Sequence, residues 1–112
     1  MAKVVITRDL ENEIDKKFKG ESVKVLGLLN ELKENPKKGK EVGCVGGIVI
    51  KEIRYKVYRF YFISDGYKIK FLKSEELRDL LIKFVRMSDK DTQQKVIDGI
   101  KGVLRSLGQE GF

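Results

Sequence analysis

The chain has 112 residues, 41% of them hydrophobic and spread in short runs, which suits a single domain over residues 1–112. No run approaches the roughly 20 apolar residues that cross a bilayer, and the apolar start at Val4-Val5-Ile6 is too short for a secretory leader, so a soluble cytoplasmic protein without a membrane partner is expected. One cysteine, Cys44, and no histidine exclude an intrachain disulfide and a Cys/His zinc or catalytic centre, so no metal or cofactor is expected, while 24 Lys and Arg against 17 Asp and Glu leave a net charge of +7.

In chain order, the β-branched residues 2–7 predict a strand. Leu10, Ile14 and Phe18 recur at intervals of four, which predicts a helix over Arg8–Phe18 capped by Thr7 or Asp9 and ended by Gly20. A second helix opens at Glu21 or Ser22, carries Val25, Leu26, Leu28, Leu29 and Leu32, and ends near Asn35-Pro36, completing a helical hairpin. Residues 37–47 hold four glycines and read as a basic, mobile loop. Strands are expected over Ile48–Lys56 and Val57–Ser64, with no strong turn signal between them. The Asp65-Gly66 pair then predicts a hairpin into a strand over Tyr67–Leu72.

A short helical turn at Ser74–Asp79, with the spacing of a capping box, leads to Leu80–Met87. This run suits a strand, with Lys83 between Ile82 and Phe84, or a helix, with Leu77, Leu80, Leu81, Phe84 and Val85 on one side; the strand is preferred because of the family pattern given below. Ser88-Asp89 caps a last helix with Val96, Ile97, Ile100, Val103, Leu104 and Leu107 as its apolar stripe. Gly99 and Gly102 each weaken it by about 1 kcal/mol relative to alanine, or allow a partner to come close. Gly108 stops it ahead of a frayed tail, 109–112.

The charge is unevenly placed: residues 36–73 contain ten cations and three anions, an excess equal to that of the whole chain. Such a patch suits a polyanion such as RNA, and equally the solvated surface of a Lys/Glu-rich protein. Alternation puts Tyr58, Phe60 and Phe62 on one face of their strand and Arg59 and Tyr61 on the other, with Lys68 and Lys70 opposite Tyr67, Ile69 and Phe71. One face of the sheet is thus aromatic, for the helices, and the other is basic.

This order of elements resembles the RelE/ParE toxin superfamily, and HigB-type or RelE-type toxins in particular. Glu52-Ile53-Arg54, Tyr58-Arg59-Phe60-Tyr61-Phe62, the Asp-Gly hairpin and Leu81-Ile82-Lys83-Phe84-Val85-Arg86 before a final helix resemble the E-L-R strand, Y-R strand and closing basic strand of that pattern. The chain departs from the pattern at Arg86-Met87, where the family carries two lysines, and in having no histidine. The resemblance implies an α+β fold: a small antiparallel sheet of three to five strands packed against an N-terminal helical hairpin, with a C-terminal helix. It also implies the toxin of a type II toxin–antitoxin system, a metal-independent, ribosome-dependent mRNA endonuclease that inhibits translation and is silenced by a cognate antitoxin.

The site residues carried over are Arg54, Arg59 and Arg86, which orient the phosphate and stabilise its charge as the 2′-hydroxyl attacks. A base would come from Tyr61, Tyr55 or Glu52, with Tyr61 grouped in the catalytic set. Lys51, Lys56, Lys68, Lys70 and Lys83 are candidate RNA-backbone contacts, or simply a solvated face. Arg54 has the alternative of pairing with Glu52, and Arg59 that of packing on an aromatic ring. Two other functions stay open on the same fold: an inert RNA- or ribosome-binding protein, and a ParE-like inhibitor of a protein target.

Overall fold

The computed structural model describes residues 2–45, 47–65, 68–106 and 108. Five strands, β1 (Lys3–Ile6), β2 (Lys40–Val45), β3 (Ile48–Tyr55), β4 (Tyr58–Asp65) and β5 (Lys68–Leu72), form one sheet in the order β1-β5-β4-β3-β2. Four α-helices complete the fold: α1 (Arg8–Phe18), α2 (Ser22–Asn30), α3 (Ser74–Met87) and α4 (Lys90–Ser106).

The class is α+β, but the sheet is mixed and not antiparallel throughout, because β1 runs parallel to β5. Nor is the helical hairpin N-terminal to the sheet. It follows β1 and carries the chain to β2 at the opposite edge, crossing one whole face on the way. Leu10, Ile14, Val25 and Leu29 of the hairpin bury against Ile53, Phe60, Phe62, Ile69 and Phe71, the aromatic face that strand alternation predicts. The second helix is shorter than its apolar run suggests; a 3-10 turn, Glu31–Lys33, takes over and still buries Leu32.

The expected strand at Leu80–Met87 is instead the second half of α3. Leu77 and Leu81 are buried, with Leu80, Phe84 and Val85 packed beside them, so the helical period places these five on the core side of α3 and leaves Met87 exposed. The start is well held: Glu76 Oε1 accepts from the Lys73 N–H at 2.9 Å and from the Thr7 hydroxyl at 2.7 Å. Thr7 Oγ1 in turn accepts from the Leu10 N–H, so the N-termini of α1 and α3 are tied to each other across the end of the sheet.

The expected mobile loop over 37–47 contains β2. Its Gly43 allows a close approach of α4, as Gly99 does from the α4 side. A Cβ on Gly43 would lie 2.6 Å from Val103 Cγ2, and a Cβ on Gly99 would lie 3.0 Å from the Cys44 carbonyl oxygen. The two residues let α4 seat directly on β2, so Gly99 serves contact within this chain. Ile100, Val103 and Leu104 of α4 join Leu77 and Leu81 of α3 over Val45, Ile50, Tyr61 and Leu72, and cover the middle of the second face.

The β3–β4 strands are joined by a two-residue loop, Lys56-Val57, with Lys56 at φ 56°. The reading at the Asp65-Gly66 hairpin and at Tyr67 and Leu107 lies outside the described residues. Gly108 does close α4, with φ 78° and its N–H on the Arg105 carbonyl.

Two measurements check this packing. Gly43→Ala is expected to lower stability by about 1–3 kcal/mol, since buried Val103 is β-branched and has little freedom to turn aside. Gly102→Ala, whose Cβ meets nothing within 4 Å, is expected to raise it by about 0.5–1 kcal/mol in the same urea titration. At the start of α4 the Thr92 N–H, and then its hydroxyl, hold the Asp89 carboxyl below its ordinary pKa. A lowered carboxylate stabilises above its unfolded pKa and loses that effect as pH falls through the folded value. Helicity lost below about pH 4 should therefore include a part that Asp89→Ala removes, lowering Tm at pH 7 and leaving it unchanged at pH 2.

Candidate nucleic-acid interface

Glu52, Arg54, Arg59 and Tyr61 share the sheet face opposite the hairpin. Glu52 faces Tyr61 across the strand pair, and Arg54 faces Arg59. A two-residue loop makes the flanking Tyr55–Tyr58 the hydrogen-bonded pair, so Arg54–Arg59 is the non-hydrogen-bonded one, with Cα atoms about 4.5 Å apart and side chains close. Two like charges so placed repel. The compensation comes from Glu52, whose Oε1 lies 3.9 Å from Arg54 Nε and whose Oε2 lies 4.0 Å from Arg59 Nη1.

The burial of the three is unequal: the Glu52 side chain is 7% exposed, Arg54 59% and Arg59 46%. The carboxylate is the floor and the guanidiniums are the rim. At 3.9 and 4.0 Å neither contact is a hydrogen bond, so the donors of both arginines keep capacity for another acceptor. Lys40, opposite Glu52 in β2, adds an exposed cation to the same face. An anion with several oxygens, such as a phosphodiester, fits a pair of forked donors at this spacing.

The remaining candidates divide. Lys68 and Lys70 are exposed on the same face but toward its other end, where β5 pairs with Asp65 and Ile63. Ile63 lies four positions after Arg59 in β4, about 13 Å along the strand. Tyr61 and Leu72 lie between these two patches, buried beneath the α3–α4 layer. With Lys3 and Val5 of β1, Lys68 and Lys70 line a cleft that the helices leave uncovered. The face is therefore not one open basic surface, as alternation alone suggests, but two basic ends with a covered middle.

Lys51 falls on the opposite face, paired in register with Phe62, and its ammonium donates to the Lys37 carbonyl at 3.4 Å. Lys56 lies in the β3–β4 loop, bound to Glu21 at 3.0 Å and 5.6 Å from the centre of the Tyr55 ring. The hydrogen bond and charge of Glu21 raise its pKa above the ordinary lysine value. Lys83 and Arg86 are exposed on α3, not on a strand. The sequence reading passed over Lys40 as a face partner of Glu52, since no strand was assigned there. Arg59 takes the carboxylate and not a ring; among the described residues the cation–π contacts are Lys17 on Tyr58 and Lys56 on Tyr55.

Removing one arginine at a time tests the arrangement. Arg54→Ala and Arg59→Ala should each change unfolding free energy by about 1 kcal/mol or less, as exposed ion pairs do. The double variant should lose more than their sum, by about 1 kcal/mol or more, because Glu52 is then buried with neither guanidinium beside it. Urea denaturation at pH 7 reads both.

Among the described residues no helix is long and apolar enough to cross a membrane. No protein-family model matches this chain. No curated protein and no solved structure matches it either.

Proposed function

We propose that this chain binds RNA through Arg54 and Arg59 and cuts it, as the translation-inhibiting toxin of a toxin–antitoxin pair. The observation that carries the reading is the pair of half-exposed guanidiniums standing side by side above a buried carboxylate, on the two strands where the RelE/HigB resemblance expects its arginines. Cleavage needs no metal in this scheme. The ribose 2′-hydroxyl gives its proton to a base, its oxygen bonds to the adjacent phosphorus, and the bond to the 5′-oxygen breaks as that oxygen takes a proton from water, leaving a 2′,3′-cyclic phosphate and a 5′-hydroxyl. Arg54 and Arg59 stabilise the charge that builds on the phosphoryl oxygens. Glu52, the carboxylate nearest both, is placed to accept the proton. The partner that goes with this reading is an antitoxin that occludes the arginine pair.

A second reading, RNA or ribosome binding without cleavage, is favoured by the surroundings of the pair. Tyr61 is buried beneath the helices, and Arg86 belongs to α3 and does not close a strand, so two of the four expected catalytic residues stand differently from the pattern.

Induced expression followed by primer extension separates the two. The first reading expects new message ends and growth arrest, with Arg59→Ala and Arg54→Ala each lowering cleavage about a hundredfold while the protein stays folded. Salt-sensitive retention on RNA without new ends supports the second. DNA damage without RNA binding would contradict both.

A further inference from the structure

The β3–β4 hairpin runs past the end of β5. Tyr61 is the first residue of β4 with a partner there, Leu72, so Tyr58–Phe60 have an open edge. In the non-hydrogen-bonded Arg54–Arg59 pair, the main-chain N–H and C=O of Arg59 point out toward that edge. A cleft of about 100 Å³ occupies the space between this edge, α1 and the start of α3. That is several times what one water needs, and suits a single planar ring.

The lining is chemically mixed. Tyr58 and Arg59 belong to opposite faces of the sheet and reach the cleft from the two sides of the open edge: Lys17, Arg59 and Lys73 supply positive charge, Tyr58 an aromatic wall, Ser74 a hydroxyl and Glu13 a carboxylate. The Lys17 ammonium sits 4.3 Å from the centre of the Tyr58 ring, and Phe18 packs against the same ring in a T-shaped contact with centroids 4.8 Å apart. The ring is thus held by Phe18 and covered by the flexible side chain of Lys17. An exposed cation–π contact contributes only about 0.5–1 kcal/mol, less than the stacking of a base contributes, so a base can displace the lysine.

We propose that this cleft is a nucleotide subsite in which one RNA base stacks on Tyr58 while its phosphate is held by Arg59. The inference rests on the RNA-binding reading above and extends it from the backbone to a base. Lys17 leaves the ring and, with Lys73, joins the phosphate. Glu13 repels phosphate, so it keeps the phosphate on the Arg59 side, and its carboxylate can accept a hydrogen bond from a base N–H or amino group. A backbone-gripping arginine beside a stacking ring is the combination that single-strand binding requires.

Fluorescence anisotropy with a labelled six-nucleotide single-stranded RNA, and with an abasic ribose-phosphate strand of equal length, tests the proposal. The wild-type protein should bind the base-bearing strand about tenfold more tightly. Tyr58→Ala should remove that tenfold advantage and leave the abasic strand within twofold, while Tyr58→Phe, which keeps the ring, should behave as wild type. Arg59→Ala should weaken both strands alike. Equal wild-type affinity for the two strands, or a Tyr58→Ala loss shared by both, overturns the subsite and leaves the arginine reading standing. Failure to bind either strand overturns both. Thermal melting of each variant separates a lost contact from a lost fold.

Discussion

Two guanidinium groups facing each other across a strand pair repel, and the repulsion between Arg54 and Arg59 is offset from below by Glu52. That carboxylate is buried at the floor of the face, within 4.0 Å of both, and it sets where the arginines stand. Removing charge from water is costly, so a buried glutamate needs cations close by. The need is mutual. Glu52 is stabilised by two arginines that would otherwise spread apart, and the arginines are left half in solvent. The interface chemistry follows from this triangle, since a phosphodiester meeting it adds negative charge where the net local charge is still positive.

The layers on either side decide how much of the basic face is available. On one side the helical hairpin buries the aromatic row of β4 and β5, which fixes which side chains are left for the other. On that other side α4 lies close to β2 because Gly43 and Gly99 carry no side chain, and α3 completes the cover over Tyr61 and Leu72. What remains open lies at the two ends: the arginine pair beside the β3–β4 loop, and Lys3, Lys68 and Lys70 at the β1–β5 edge. The excess charge of residues 36–73 is thus divided by packing into separate patches. The hydrogen bonds from Thr7 and Lys73 to Glu76 hold α1 and α3 together at the mouth of the Tyr58 cleft.

Much of this was legible in the residues alone. Strict alternation in Tyr58–Phe62 put each side chain on its observed face because Phe60 and Phe62 are buried and the register cannot slip without exposing them. Asp89 was readable as a cap because its carboxylate meets a donor three residues on. What could not be read depends on distant partners. β2 looks like a loop because Gly43, which weakens the strand locally, is required by α4, some 60 residues later. The Lys56-Val57 turn carries no turn signal; Lys56 adopts φ 56°, with its ammonium on Glu21 from the other end of the hairpin layer. The strand reading of Leu80–Met87 followed a family pattern against a helical period that was the stronger physical signal. With α3 a helix, Lys83 and Arg86 left the sheet, and the site shrank to what β3 and β4 carry. Parallel pairing of β1 with β5 joins segments more than 60 residues apart and leaves no local mark.

The central claim is that the Arg54–Arg59 pair is where RNA phosphates dock. It is tested most directly by nuclear magnetic resonance, following the arginine Nε–H signals of the ¹⁵N-labelled protein as a short single-stranded RNA is added at low salt. The account predicts that the signals of Arg54 and Arg59 shift first and farthest, and that raising salt reverses the shift. Unmoved signals for both, with changes confined to the outer surfaces of α1 and α2, would contradict it.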